Sequence, residues 1–75
     1  MEIRIPKLAV SMTEGTLTEW LVEDGAAVAA GTPLYVLETD KVETEVEVPV
    51  AGTVRLLVGA GDTHPVGALI AEVSP

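Results

Sequence analysis

Apolar and polar residues alternate along much of the chain, and a period of two is typical of β-strands with one buried face. The clearest example is Val42-Glu43-Thr44-Glu45-Val46-Glu47-Val48, in which the valines and Thr44 share one face and the glutamates face water. Five further stretches also predict short strands: Ile3–Ile5, Thr16–Val22, Leu34–Leu37, Val54–Val58 and Leu69–Val73. Ala26–Ala30 is too short for a stable helix, and its flanking glycines indicate a turn with a short strand. The pattern therefore predicts an all-β protein.

Two halves of the chain repeat one pattern. The matches are Gly15-Thr16-Leu17 with Gly52-Thr53-Val54, then Val22, Gly25 and Gly31 with Val58, Gly61 and Gly67, and finally Leu34 with Leu69. Since neither copy can bury its apolar face alone, the two copies are expected to pack as a pseudo-twofold pair of sheets. This predicts a small β-sandwich or flattened β-barrel. The segment between the copies, Glu38–Ala51, carries Lys41, which we expect to project from a tight hairpin turn.

Composition narrows the possible functions. With 75 residues the chain is expected to form one small domain, and without cysteine it has no disulfide or thiolate metal site. The net charge of −8 disfavours nucleic acid and anionic membrane surfaces as partners. No apolar run is long enough to span a bilayer, and the N-terminal residues lack the apolar stretch of a signal peptide. We therefore expect a soluble, intracellular protein.

Lys41 is the candidate functional residue, because it is the only basic residue between Lys7 and Arg55 and lies among acidic residues. Acidic neighbours in water favour the charged form of a lysine, so this amine is expected to stay inert until an enzyme modifies it. A lone amine on a hairpin thus suggests a covalent attachment point. The alternative is a solubility role, since charges on an exposed hairpin discourage edge pairing.

Catalysis by the chain itself is not expected. The glutamates of the alternating stretch are predicted to lie on a solvated face, where no apolar pocket would tune their pKa. Ser11 has no histidine nearby in sequence, and His64 stands beside Pro65 in a predicted surface turn. A catalytic triad cannot be assembled from these residues, and a single histidine does not make a metal site.

Three segments resemble the lipoyl domain of the acyltransferase (E2) component of 2-oxo acid dehydrogenase complexes. They are Pro6–Thr16, Glu38-Thr39-Asp40-Lys41 and Val48–Val54, and the resemblance covers essentially the whole chain, residues 1–75. Gly25, Gly52 and Gly61-Asp62 are also spaced from Lys41 as in that family, whereas Ala9-Val10 replaces the Ser-Pro common in its first loop. The resemblance implies two four-stranded antiparallel sheets forming a flattened barrel, with the chain termini together at one end and the modified lysine on a hairpin at the other.

The resemblance also implies a function. Lys41, flanked by Asp40 and Val42 and preceded by Glu38, would carry lipoate attached by a lipoate ligase or an octanoyltransferase. The non-catalytic domain would shuttle acyl groups and electrons between a thiamine-diphosphate-dependent decarboxylase (E1), the acyltransferase core (E2) and dihydrolipoyl dehydrogenase (E3) of a 2-oxo acid or acetoin dehydrogenase complex. The isolated domain would be monomeric, in the bacterial cytoplasm or, in a eukaryote, the mitochondrial matrix. By the same resemblance the loop Ala9–Glu14 lies near the lysine hairpin, where its residues Ser11, Met12, Thr13 and Glu14 would be recognised by the decarboxylase.

Two alternatives share this scaffold. Biotin carriers place a methionine on each side of the modified lysine, whereas Asp40 and Val42 stand here, which favours lipoate. Glu38 agrees with lipoyl carriers, although it is also explained as an exposed carboxylate at a strand end. The second alternative is an unmodified β-sandwich adaptor. The acidic surface fits either steering towards basic partner sites or simple solubility.

Overall fold

The computed structural model describes residues 1–8, 10–39 and 42–75, and these residues form eight strands and no helix. The strands are β1 (Glu2–Arg4), β2 (Glu14–Trp20), β3 (Ala27–Val28), β4 (Pro33–Glu38), β5 (Glu43–Glu47), β6 (Gly52–Leu56), β7 (Thr63–Pro65) and β8 (Leu69–Ser74). They build two four-stranded sheets, the first in the order β1-β8-β6-β3 and the second in the order β5-β4-β2-β7. All strand pairs are antiparallel. The predicted fold class is confirmed, and no helix in the described ranges could cross a membrane.

The internal repeat appears directly in the topology. Each strand of one half has a counterpart four numbers away in the other half: β1 corresponds to β5, β2 to β6, β3 to β7 and β4 to β8. Exchanging counterparts converts the strand order of one sheet into that of the other. Backbone hydrogen bonds repeat as well. The equivalent pairs are Gly25 N–H to Val54 O (2.7 Å) with Gly61 N–H to Leu17 O (2.6 Å), and Gly31 N–H to Val48 O (2.8 Å) with Gly67 N–H to Ile5 O (2.9 Å). The sequence repeat therefore corresponds to a pseudo-twofold axis between the sheets.

Two equivalent turns depend on glycine. Gly25 and Gly61 have φ angles of 86° and 100°, in the left-handed region that residues with a Cβ rarely adopt. Because each turn feeds a short edge strand, β3 or β7, these glycines set the path by which both halves of the chain close their sheets.

The core lies between the inner faces of the two sheets. Its buried members are Ile3, Ile5, Leu17, Leu34, Tyr35, Leu37, Val48, Val54, Ile70, Ala71 and Val73. The Trp20 ring packs edge-on against the Tyr35 ring at a centroid distance of 5.4 Å. The Trp20 indole N–H donates to the carbonyl oxygen of Val58 at 3.0 Å, which joins the C-terminal end of β2 to the residues just after β6.

The chain termini and the β4–β5 hairpin lie at opposite ends of the molecule. The N-terminal amine donates to the carbonyl oxygen of Val73 at 2.6 Å, so the termini meet, as expected. The N-terminal part of β6 pairs with the end of β8, whereas the N-terminal part of β2 pairs with the end of β4. Since β2 and β6 meet at their other ends, the hairpin and the termini are held far apart, along a molecule 33 Å long.

Two local predictions are wrong. Val42 is 57% exposed and does not share the buried side of the stretch that follows it. His64 does not lie in a surface turn: it is the central residue of β7, half-buried, and pairs with Gly15 of β2. The sequence did not predict β7 because a strand of three residues that ends in proline has no visible period of two. Its counterpart in the repeat is Val28 of β3, an apolar residue packed against the core.

Candidate functional site

The β4–β5 hairpin is the element that carries the candidate lysine. Its strands pair up to Glu38 and Glu43, and beyond them the Thr39 N–H donates to the carbonyl oxygen of Val42 at 2.9 Å. Asp40 and Lys41 lie outside the described residues, and the prediction that Lys41 projects from a tight turn lies outside them as well. The structure thus describes the two arms of the hairpin, which are hydrogen-bonded to each other as far as Thr39 on one arm and Val42 on the other.

Hydroxyl and carboxylate groups form a row across the second sheet next to this hairpin. Strand register places Thr63, Thr16, Glu38 and Glu43 opposite one another on β7, β2, β4 and β5. The row lies on the outer face, because the neighbours of Thr16 in sequence, Gly15 and Leu17, are buried. The hydroxyl oxygens of Thr16 and Thr63 are 2.8 Å apart and share a hydrogen bond.

The loop between β1 and β2 contributes the other wall of a groove above this row through residues 11–13. The groove has a volume of about 640 Å³ and is lined by Ser11, Met12, Thr13, Glu14, Gly15, Thr16, Glu38, Thr39 and Thr63. The structure therefore brings the predicted recognition residues beside Glu38 and Thr39 at the base of the hairpin. Glu14 belongs to β2 and not to the loop, and Ala9, the first residue of the predicted loop, lies outside the described residues.

The groove is acidic and rich in hydroxyl groups. Its charged lining residues are Glu14 and Glu38, both exposed, and neither lysine nor arginine is among the described lining residues. In the described part of the chain no three histidine, cysteine or carboxylate residues lie close enough together to hold a metal ion. Such a lining suits basic or hydrogen-bonding groups of a partner and lacks a recognisable catalytic centre.

His64 lies behind the groove and not in it. The residue pairs with Gly15 on the core side of β2, and its Nε2 atom is buried without a hydrogen-bond partner among the described residues. This histidine is half-buried, and it is not among the groove-lining residues that include Ser11. Sequence reasoning missed its burial, although the match with Val28 in the repeat is a signal that could have shown it.

A two-sheet β-domain with an internal twofold repeat and an acidic hairpin opposite its termini has the architecture of protein domains that carry a prosthetic group. The chain belongs to the biotin and lipoyl attachment family: the model Biotin_lipoyl, described as "Biotin-requiring enzyme", matches residues 1–73. The fold is that of a lipoyl domain. The solution structure of the lipoyl domain of the 2-oxoglutarate dehydrogenase complex from Azotobacter vinelandii superposes with a TM-score of 0.83 at 29% identity, over 100% of this chain and 96% of that one.

Curated relatives agree on the lipoyl branch of the family. The chain is 46% identical to the dihydrolipoyllysine-residue acetyltransferase component of an acetoin cleaving system from Cupriavidus necator, over 97% of this chain and 20% of the relative. It is 47% identical to the corresponding pyruvate dehydrogenase component from Corynebacterium glutamicum, over 96% and 11%. It is also 48% identical to the succinyltransferase component of the 2-oxoglutarate dehydrogenase complex from Staphylococcus saprophyticus, over 96% and 17%. The chain thus spans a fifth or less of these relatives, and their lipoyl names favour lipoate over biotin.

Proposed function

We propose that residues 1–75 form one lipoyl domain that carries lipoate on Lys41. In this proposal the domain moves acyl groups and electrons between the decarboxylase, acyltransferase and dihydrolipoyl dehydrogenase sites of a 2-oxo acid or acetoin dehydrogenase complex. The observation that carries the proposal is the lipoyl-domain fold, combined with a lysine in the two-residue segment between Thr39 and Val42, which a backbone hydrogen bond joins just beyond β4 and β5.

The described surroundings of the attachment segment fit a lipoyl group. Val42 is 57% exposed and Glu38 and Glu43 are exposed, so a modifying enzyme can approach the hairpin from solvent. The methionines that flank the lysine in biotin carriers are absent, since Asp40 and Val42 stand there. Glu38, which lines the groove next to Thr39, is the residue through which we expect the modifying enzyme to recognise the hairpin.

The contribution of the domain is to present and tether its cargo. Lipoate, when attached, supplies a reducible disulfide that suits both acyl and electron transfer. The hydrogen-bonded pair of β4 and β5 gives the tether a fixed base, which lowers the orientational cost at each active site. Tethering raises the effective concentration at successive sites to about millimolar. In this proposal the domain is a non-catalytic carrier, and the exposed glutamates of β5 face solvent.

We propose that the decarboxylase recognises the groove through Ser11, Met12, Thr13 and Glu14. This proposal is supported by the position of these residues beside Glu38 and Thr39 at the base of the hairpin. Sequence identity does not select a substrate, because relatives from acetoin, pyruvate and 2-oxoglutarate systems are 46%, 47% and 48% identical to the chain. Reductive acylation of the lipoylated domain by a panel of these three decarboxylases would select among them.

Enzymatic lipoylation of the purified chain tests the attachment site. A lipoate ligase should add one lipoyl group to the wild-type chain and none to Lys41→Arg, because a guanidinium does not form the amide. Lys7→Arg is the matched control and should be modified like the wild type. Both variants should keep the β-sheet circular dichroism spectrum. Intact mass is the measurement, and a lipoyl increment on Lys41→Arg, or biotinylation of the wild type by a biotin ligase, would refute the proposal.

A further inference from the structure

The Met12 side chain anchors the first loop to the second sheet. Its methyl carbon Cε lies 3.0 Å from the point where a Cβ on Gly15 would be, so it packs into space that Gly15 leaves open. Its sulfur Sδ accepts a hydrogen bond from the Leu8 N–H at 3.3 Å. Met12 is partly buried and packs against the core. One side chain therefore links the loop backbone, the β2 strand and the core.

The other half of the repeat shows that this anchor is specific to the groove end. Gly52 is the counterpart of Gly15, and there the open space is occupied by the Ser74 carbonyl group and a methyl group of Val73. Main chain of β8 thus fills the gap at the end that holds the termini. At the hairpin end the space is shared by a core side chain and a loop side chain: Cδ1 and Cγ of Leu37 lie 2.8 and 3.1 Å from the same point, and Cε of Met12 lies 3.0 Å from it. Of the two, only Met12 belongs to the loop, so its contact ties the loop to the sheet.

The loop on either side of Met12 presents its polar groups to the groove. Ser11 and Thr13 line the groove and are exposed, and the Thr13 carbonyl oxygen accepts a hydrogen bond from the Val66 N–H at 3.0 Å. Two attachments, one through Met12 and one through Thr13, hold residues 11–13 against the rest of the domain. A segment that is already held loses less conformational entropy when a partner binds than a free loop does.

We propose that Met12 is a positioning residue. By packing over Gly15 and accepting a hydrogen bond from the Leu8 N–H, it preorganises the first loop and so sets the affinity of the groove for the decarboxylase. This inference rests on the function proposed above. Within the recognition set proposed above, the role of Met12 is to position Ser11, Thr13 and Glu14, which make the polar contacts with the partner. Loss of the anchor should weaken binding and leave the acylation step unchanged once the partner is bound.

Two substitutions separate the parts of the anchor. Met12→Ala removes both the packing and the sulfur, whereas Met12→Leu keeps an apolar side chain over Gly15 and removes only the acceptor. Amide hydrogen exchange at Leu8, measured on the unmodified chain, should accelerate in both variants. Met1→Leu makes the same chemical change at a residue that is 61% exposed and is the control.

The kinetics of the lipoylated variants test whether Met12 sets the affinity of the domain for the decarboxylase. The decarboxylase is the pyruvate, acetoin or 2-oxoglutarate enzyme that acylates the wild type fastest. Met12→Ala should raise KM for the domain about tenfold, which corresponds to ~1.4 kcal/mol of binding free energy, with kcat unchanged within about twofold. Met12→Leu should fall between Ala and wild type. An unchanged KM in Met12→Ala, or a loss confined to kcat, would overturn the inference. Failure of wild-type lipoylation or acylation would instead count against the proposed function.

Oxidation of the Met12 sulfur gives an independent test that needs no substitution. Hydrogen peroxide transfers one oxygen atom to the Met12 sulfur and is itself reduced to water, which turns an apolar anchor into a polar sulfoxide. Treatment before lipoylation keeps the oxidant away from the lipoyl disulfide. The oxidised wild type should show the raised KM of Met12→Ala, and methionine sulfoxide reductase should reverse it. Met12→Leu, treated identically, retains only Met1 as a target and should not change; an equal rise there, or no rise in the wild type, contradicts the inference.

Discussion

Two polar side-chain atoms are buried without a hydrogen-bond partner in the described part of the chain, the Tyr35 hydroxyl and Nε2 of His64. Tyr35 is fully buried between the sheets, and its ring packs against Trp20. A buried polar group that finds no partner costs about 1–3 kcal/mol relative to water. At these two positions the fold therefore carries a free-energy cost that an apolar residue would avoid.

Tyr35→Phe should raise the free energy of unfolding by about 1 kcal/mol, because the ring contacts remain and the unpaired hydroxyl is removed. Burial raises the pKa of Tyr35 to about 12, while an unfolded tyrosine titrates near 10. Ionisation therefore stabilises the unfolded chain first, and wild-type stability should fall as pH rises from 10 to 12. Urea unfolding at pH 8 and pH 11 checks both points. A loss of stability in Tyr35→Phe at pH 8 would show that the hydroxyl has a partner.

His64→Val should stabilise the chain by about 1 kcal/mol, since it places in β7 the residue type found at the equivalent position of β3 and removes the unpaired ring nitrogen. The melting temperature, measured at neutral pH, should rise. Val28→His, the reverse change at the matched position, should lower it. Destabilisation by His64→Val would mean that the imidazole makes contacts a valine cannot replace.

At the scale of elements, the period of two and the glycine repeat predicted most of the fold. Six predicted strands and the turn with its short strand correspond to seven of the eight strands in the described residues. The repeat implied the sheet pairing, because matched segments without a closed core of their own must pack together. The period of two did not show β7 or the exposure of Val42, although the repeat match of Val28 with His64 marks β7 as the counterpart of β3. The first is a three-residue strand defined only by pairing with β2, and the second depends on where the β5 pairing ends.

The candidate site was predictable to a similar extent. Its residues came from the family resemblance, and the structure places Ser11–Glu14 next to Glu38 and Thr39. The anchoring role of Met12 was not predictable, because it depends on the space above Gly15 and on the distance from its sulfur to the Leu8 N–H. Neither that space nor that distance can be read from the sequence.

The equivalence of the two halves can be tested with glycine substitutions. A Cβ at Gly25 or Gly61 would meet no atom within 4 Å, so alanine there costs only the strain of a positive φ. Each variant should lose about 1 kcal/mol of unfolding free energy. If the two turns are equivalent, the two losses should agree within about 0.5 kcal/mol. Gly59→Ala is the control, with equal space and no positive φ, and should be neutral or stabilising. Clearly unequal losses would contradict the pseudo-twofold symmetry of these turns.

The edge strand β5 illustrates how charge protects a sheet. It pairs on one side only, with β4, and Glu43, Glu45 and Glu47 are exposed along it. Replacing all three with threonine should leave unfolding free energy within about 1 kcal/mol but promote association through the open edge. Light scattering against concentration measures this. A variant that stays as monodisperse as the wild type would show that the glutamates are not needed for protection.

Over the molecule as a whole, the pseudo-twofold places the chain termini at one end and the hairpin and groove at the other. In the carrier function proposed above, a partner can therefore reach the hairpin without meeting the termini. A net charge of −8 should add attraction to basic rims of partner active sites. The association rate with the decarboxylase should then fall as salt rises, by stopped-flow measurement, whereas a rate independent of salt would assign the charge to solubility.

Attachment of lipoate to Lys41 is tested most simply by the intact mass of the chain purified from the cells that encode it, followed by mapping of the modified peptide. The mass should be raised by one lipoyl group, located on the peptide that contains Lys41. A biotin increment, or an unmodified Lys41 in cells whose other lipoyl proteins are fully modified, would contradict it.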